Sequence, residues 1–470
     1  MTDQSLPILT KAPIPPQTHI KRLDERMAKG KALREKALRQ AQAEWKPPAD
    51  RPDPVDTLID SSKGRLEELL PIRYGRMMAT PFTFYRGAAA IMAYDLAHTP
   101  STGLTLVACG DCHLLNFGGF ATAERKVIFD LNDFDEVSVA PWEWDVKRLT
   151  ASFVIAGRSN GFAPADCREA AWLAAQSYRQ QMAEYAGLPV LQVWNEAFDL
   201  NTIIENNPDK EMKRFYSKKL VRATEQGAHE KEFAKLTFSA GDMPRIVDQS
   251  PLIFHYGDKR DQQMREQAVK SLAGYKKTLI PARQLLLDRF EVVDYAIKVV
   301  GVGSVGTMCG ILLLMSGNGD PLFLQFKQAR QSVLEPYCGA STAGHSGERV
   351  VVGQRIMQAA SDMFLGWTTG TGEGKRQFFL RQLSDAKIKP VVEIMKEANL
   401  KSYAGLCGRA LARAHARSGD AAVLTGYMGK STSFEDAVAD FSVAYADQNE
   451  RDHAALVKAV RSGRIEAQTD

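Results

Sequence analysis

From Cys109 to Asp145 the chain reads CGDCHLLNFGGFATAERKVIFDLNDFDEVSVAPWEWD, which concentrates carboxylates, an amide and glycines that most globular sequence spreads out. Asp111 and Asn116 share one polar stretch, and Asp133 and Asp135 share a second. Their oxygens are hard ligands of the kind magnesium takes, with one carboxylate left over as a base. The plain alternative is a pair of acidic turns capping two strands. Cys109 and Cys112 make a C-x-x-C pair followed by His113, so zinc and thiol chemistry also need weighing. Structural zinc needs four ligands, and the chain has no second such pair. A thioredoxin-like pair would open a helix in a much smaller domain. The cysteines therefore read as small residues beside the loop.

Two apolar runs, Leu104 to Ala108 and Lys126 to Phe129, have the composition of buried strands, and the polar residues fall just after each. Acids at such strand ends are expected to face one cleft. Behind them a helix from Asp145 to Arg158 carries Trp144, Val146, Leu149 and Phe153 at helical spacing and reads as scaffold. Upstream, Arg73, Arg76 and Arg86 are interleaved with Tyr74, Phe82, Phe84 and Tyr85, ahead of an alanine-rich helix from Gly87 to Ala97. Such arginines could hold phosphate bidentately or form salt bridges with the acidic loop, and the sequence leaves both open.

A second group of residues begins at Phe290. Gly301, Gly303 and Gly306 form G-x-G-x-x-G after a strand-like run, but a dinucleotide site would continue into a helix. Here another strand follows, Thr307 to Met315, then a turn at Gly317-Asn318-Gly319 and a strand ending at Lys327. The glycines are thus expected in a β-hairpin, with a lysine on the next strand. A helix from Ser346 to Met363 carries Glu348. Glu335 is the other glutamate between Lys327 and that helix's end, but Pro336 argues against a helix there. A strand from Gln377 to Leu383 and a helix from Tyr403 to Arg417 follow.

The Gly110-Asp111, Asn116 and Asn132-Asp133-Phe134-Asp135 pattern resembles the catalytic core of the aminoglycoside phosphotransferase and choline kinase branch of the protein-kinase-like fold, with Cys109 where that family has histidine. The resemblance implies that Asp111 orients or deprotonates an attacking hydroxyl, while Asn116 and Asp133 hold magnesium with ATP. Asp130 is the competitor to Asp133. It further implies that Gly301, Gly303 and Gly306 cover the phosphates, that Lys327 contacts them and that Glu348 orients Lys327. Leu-Ala-Arg-Ala-His, ending at His415, resembles the helix before that family's catalytic loop, yet Asp420 lacks an asparagine five residues on. Because the acids precede the glycines and lysine, the expected fold is an α+β, protein-kinase-like two-lobed fold that is circularly permuted. It would have a large helical C-lobe and a small antiparallel β N-lobe. The implied activity is Mg-ATP-dependent phosphotransfer to an unknown small-molecule or protein acceptor. Adenylyl transfer from the same site and a non-catalytic nucleotide-binding protein are the alternatives.

At the scale of the whole chain, PFTFYRG, GDCHLLNFGGF, DLNDFDE, PWEWDVKRL, VGVGSVGT, GERVVVGQRIMQAASD, ARAHARSGD and YADQNERDHAAL resemble a bacterial family known as domain of unknown function 2252. The likeness covers nearly everything after residue 60 and implies no reaction.

Composition sets outer limits. With 470 residues, 44% hydrophobic and 25% charged, the chain is long enough for two or three packed lobes. The expected divisions are a tail and basic helix at 1–60 and a mainly helical lobe with the catalytic loop at 61–289. A β-rich nucleotide-binding lobe at 290–390 and C-terminal helices at 391–470 follow. A net charge of +4 with no aromatic-studded basic face argues against nucleic acid. No apolar run spans a bilayer and the first residues lack a signal-peptide order, so a cytoplasmic protein with reduced thiols is expected. Residues 1–20 are proline-rich and expected to be loosely attached, and residues 20–46 form a basic helix expected on the solvated surface. Helices are expected from Pro164 to Tyr185 and from Asp209 to Lys235. The region to Arg289 reads as mostly helical, and His229 and His255 carry no assigned role.

Overall fold

The apolar runs that precede the acidic loops become strands. β1 (Thr105–Ala108) pairs antiparallel with β4 (Ser138–Pro141), and β2 (Phe117–Ala121) pairs antiparallel with β3 (Val127–Leu131), to which β5 (Phe198–Asp199) adds. The polar loops are therefore the β1–β2 and β3–β4 connections, and Asn132 N donates to Asn116 O at 2.8 Å to tie them together. This computed structural model describes residues 21–468 except 225–232, 241–242, 373 and 384–386.

Helices surround these strands. Trp142–Ser159 packs on Pro164–Gly187, which packs in turn on Glu397–Ala416, and Ser433–Arg461 closes the group. Trp142 is fully buried at their centre, its ring stacked on Tyr178 at 5.9 Å, with Nε1 donating to Thr102 Oγ1 at 3.1 Å. Aromatic burial with the polar handle satisfied is the arrangement that stabilises most, by about 2–3 kcal/mol per large side chain.

A six-stranded antiparallel sheet has the order β12 (Gly366–Thr369), β13 (Gln377–Gln382), β11 (Pro321–Ala329), β10 (Cys309–Ser316), β9 (Phe290–Lys298) and β8 (Ile253–Phe254). Along β10, Leu312 and Leu314 face the helix Asp258–Lys276 through Tyr275, while Ile311 and Leu313 pack on Ile246 and Ile253 from the opposite side. Both faces are covered, which is why β10 reads as an unbroken apolar run and not as an alternation. The helix that crosses between β11 and β12 runs Ser346–Met357, shorter than the run to Met363 that the sequence suggests.

Two expectations are corrected. The stretch read as mostly helical contains the hairpin of β6 (Thr237–Ala240) and β7 (Met243–Ile246), and Ile246 N donates to Asp294 Oδ2 at 2.7 Å, which fixes it to β9. Of the helix expected from Asp209 to Lys235, Lys210–Thr224 is described, and the expected continuation through residue 232, with His229, lies outside the described residues. The basic N-terminal helix, Leu23–Lys36, is a packing element as well as a surface one. Arg26 donates to both oxygens of Asp420, and Arg34 donates to Gly426 O and Tyr427 O. Residues 1–20 lie outside the described residues. No helix among the described residues is long and apolar enough to cross a membrane.

Candidate functional site

The β1–β2 loop is held by carboxylates and by glycine geometry. Gly110 has φ +83°, and a Cβ there would stand 2.3 Å from Glu136 O, so both conformation and space require glycine. Asp145, from the helix Trp142–Ser159, accepts from Cys109 N at 2.6 Å and Gly110 N at 2.9 Å. It is itself held by His415 Nε2 at 3.1 Å, whose Nδ1 meets Tyr178 Oη at 2.9 Å. That helix, read from sequence as scaffold, also supplies Arg148. Its Nε at 2.8 Å and its Nη2 both donate to Asp111 Oδ1, and its guanidinium lies 4.4 Å from the centroid of the Tyr85 ring. Asp111 Oδ2 has His113 Nε2 at 3.9 Å, and burial pushes the His113 imidazole down to about 4. Asn116 Nδ2 donates to Asp111 O, leaving Oδ1 as its acceptor atom.

On the β3–β4 loop the two candidate aspartates separate. Asp130 is fully buried, paired with Arg413 Nη2 at 2.6 Å and accepting from Leu131 N and Ala359 N, away from the cavity. Asp133 and Asp135 turn the other way. Lys327 Nζ, from β11, lies 2.8 Å from Asp135 Oδ2 and 3.4 Å from Asp133 Oδ1. Burial pushes Asp133 up, but Lys327 and then Arg381 outweigh it and hold the carboxyl below its ordinary range. Burial, and then the neighbouring Asp133, push Asp135 up. For Lys327 burial lowers proton affinity, and the two carboxylates more than reverse this. Asp135 Oδ1 is buried without a hydrogen-bond partner, a position that a cation or a donor would satisfy.

Glu348 is not brought to Lys327. It stands in the first turn of the helix Ser346–Met357, its N–H donating to His345 Nδ1, and among the described residues no ion pair joins it to the lysine. One residue on, Arg349 turns inward. Its Nη2 donates to Asp135 O and Arg330 O, and its Nε lies 3.6 Å from Glu335 Oε1. Glu335 sits in a single helical turn, Glu335–Cys338, that tolerates Pro336 because a first turn has no use for the missing N–H.

The β9–β10 connection is the glycine loop. Gly301 and Gly306 have φ +67° and +84°, and Ser304 Oγ donates to Asp135 Oδ2 at 3.1 Å. Arg73 donates to Gly303 O at 2.7 Å, Arg76 to Gly301 O at 2.6 Å and Arg65 to Val305 O at 2.7 Å. Most of the upstream arginines thus donate to backbone carbonyls of the glycine loop. A cavity of about 180 Å³ is lined by Asp111, Asn116, Asp133 and Asp135 together with Gly301 and Gly303. Lys327 stands behind the two carboxylates, and Gly306 lies against Arg65. A larger cavity, about 590 Å³ and lined by apolar residues such as Phe129, Leu200 and Tyr403, lies beside β2 and β3 and includes none of the candidate residues.

Asp111, Asn116, Asp133, Gly301, Gly303 and Lys327 therefore come together, and Glu348 does not. Sequence reasoning undervalued Arg148 and Asp145. Their signal was available, since three residues apart on one helix places both side chains on one face. The six cysteines are free, and Cys109 Sγ donates to Asp133 O at 3.2 Å. Among the described residues no group of three or more His, Cys, Asp or Glu is arranged to hold a metal alone. Magnesium is commonly held by one or two carboxylates together with substrate phosphates, and the oxygens of Asn116, Asp133 and Asp135 suit that mode.

The family model described as uncharacterized protein conserved in bacteria (DUF2252) matches residues 65–459. No curated protein and no solved structure matches the chain.

Proposed function

The chain belongs to this bacterial family, DUF2252, and we propose that it is a phosphotransferase using Mg-ATP, built as a circularly permuted kinase-like fold. The observation that carries this reading is the meeting of Lys327 with Asp133 and Asp135 at a cavity shared with Asp111, Asn116 and the glycine loop. These are the parts such an enzyme needs, drawn from segments nearly two hundred residues apart. The permutation is supported by Val107 N of β1, which donates to Ser418 Oγ just past the helix Glu397–Ala416. In the unpermuted order that helix leads straight into the catalytic strand, so the two ends lie where a former connection would join.

Each side chain then has a task. Asn116 and Asp133 would hold magnesium with the nucleotide, and the orphaned Asp135 Oδ1 gives that charge a further acceptor. Lys327 provides positive charge behind the phosphates, and the Gly301–Gly303 backbone approaches them closely because no Cβ intervenes. Arg148 occupies Asp111 Oδ1 and fixes the carboxylate, so that Oδ2 takes the proton from an acceptor hydroxyl. When bound, Mg-ATP supplies the electrophilic phosphorus and the leaving group.

Thermal melting tests the reading directly. Mg-ATP at a hundredfold excess over its dissociation constant should stabilise the fold by about 2.7 kcal/mol, and ADP should accumulate slowly. Absence of any shift with ATP, GTP or ADP in magnesium or manganese would refute it.

A further inference from the structure

The arginines around the cavity fall into two groups. Arg73 donates to Gly303 O and Gly87 O, Arg65 to Val305 O and Ser61 O, and Arg330 to Ser61 O and Lys63 O. Each donates at least two hydrogen bonds to the backbone, although Arg73 Nε is itself buried without a partner. Arg86, at the end of the helix Pro81–Gly87, walls the same cavity. Its Nε is buried without a hydrogen-bond partner, and among the described residues no carboxylate lies in ion-pair contact with it. A buried donor left unmade costs stability, and a free cation beside carboxylates that it does not touch is poised for something else.

Two further facts give the direction. Tyr85 O, one residue before Arg86, accepts from Arg148 Nη2, which also donates to Asp111, and a Cβ on Gly303 would stand 3.1 Å from Arg86 O, so Arg86 lies between Asp111 and the glycine loop. Ala89 and Ala90, which open the helix Ala89–Ala97, wall the cavity next to it, and that helix has no side-chain cap for its first N–H groups. Guanidinium and helix start therefore add positive character to the wall of the cavity that holds the proposed base.

We propose that the phosphoryl acceptor is itself anionic, and that its phosphate or carboxylate is bound by Arg86 so that its hydroxyl meets Asp111. This rests on the phosphotransferase reading above. Arg86 acts here as a binding residue, and a planar guanidinium with free donors suits an oxyanion bidentately.

The test uses the full chain, melted at constant ionic strength with Mg-AMP-PNP alone and then with glycerol 3-phosphate, inorganic phosphate or glycerol at millimolar concentration. In wild type, both phosphates should raise the melting temperature of the nucleotide-loaded protein by a further 2 °C, approximately, and glycerol should not. Arg86→Gln should lose that increment and keep the nucleotide shift, and Arg86→Lys should keep part of the increment. Without ligands, Arg86→Gln should melt no lower than wild type, whereas Arg73→Gln should melt lower. No increment in wild type overturns the proposal. So does an Arg86→Gln protein that loses the nucleotide shift, which would assign Arg86 to the nucleotide's own phosphates. So does an unliganded Arg86→Gln as destabilised as Arg73→Gln, which would make the residue structural. A phosphate increment that depends on Arg86 without any nucleotide shift would instead refute the donor assignment and leave only the anion site.

Discussion

Lys327 Nζ lies 2.8 Å from Asp135 Oδ2, a contact between β11 and the β3–β4 loop that spans 192 residues of chain. The ammonium is shared, since Asp133 Oδ1 is 3.4 Å away. Without it two neighbouring carboxylates would repel. Lys327→Met should therefore destabilise the unliganded protein by about 2 kcal/mol, less than the 3–5 of a fully buried pair because the carboxylates are 36% and 26% exposed. Millimolar magnesium should recover part of the loss. Urea midpoints with and without magnesium measure both, and a variant as stable as wild type would show that the lysine does not hold the loop.

Asp111 and Asp133 should fail in different ways. Asp111 is held by Arg148, and among the described residues it makes no ion pair with Lys327, so Asp111→Asn removes the proton acceptor while leaving Asp133, Asp135 and Lys327 in place. Its Mg-ATP melting shift should persist while ADP formation falls about 10²-fold or more. Asp133→Asn should lose the magnesium-dependent shift as well. Equal hydrolysis by wild type and Asp111→Asn would remove Asp111 from the role of base.

The division between what the sequence shows and what it hides follows from distance along the chain. The strands before the acidic loops are legible because their apolar runs stop at polar clusters, and the glycine connection because a strand, not a helix, follows it. Glu348 misleads because spacing along a chain does not fix which side of a helix faces inward. Arg349, one step and about 100° further round, takes the buried place. The β6–β7 hairpin is hidden because its residues alternate weakly, with Met243 exposed and Ile246 buried against the sheet. Arg73 and Arg76 reach backbone carbonyls 230 and 225 residues away, which no local pattern encodes.

His113 should give the protein a pH-dependent stability. Its folded-state value of about 4 lies below the ordinary 6.5, so the folded protein binds fewer protons than the unfolded chain between those limits. The contribution is complete above pH 6.5 and is lost as pH falls through 4, to the extent of about 3 kcal/mol. His113→Asn keeps an acceptor near Nδ1 for Leu115 N, with which His113 Nδ1 bonds at 3.2 Å. The variant should show a flatter acid limb between pH 6.5 and 4 in urea titrations. An unchanged limb would show that His113 charges as easily in the folded state as in the unfolded one.

The Arg413–Asp130 pair tests how the site is held from behind. Both side chains are fully buried, and Asp130 joins β3 to the helix Glu397–Ala416 and, through Ala359 N, to the segment after Met357. Arg413 also donates to Met357 O at 2.8 Å, yet its Nε and Nη1 have no partners, so the ion is desolvated more than it is satisfied. Removing one partner strands a charge, whereas removing both relieves the burial cost of each. Arg413→Met should cost about 3–5 kcal/mol, and Asp130→Asn combined with Arg413→Met should recover much of that. Because Asp130 lies three residues before Asp133, the single variant should also weaken the Mg-ATP melting shift, and the double variant should restore it. A single variant costing under about 1 kcal/mol, below the usual range for a broken buried pair, would mean that the loop bearing Asp133 and Asp135 is positioned by Lys327 and Arg349 alone.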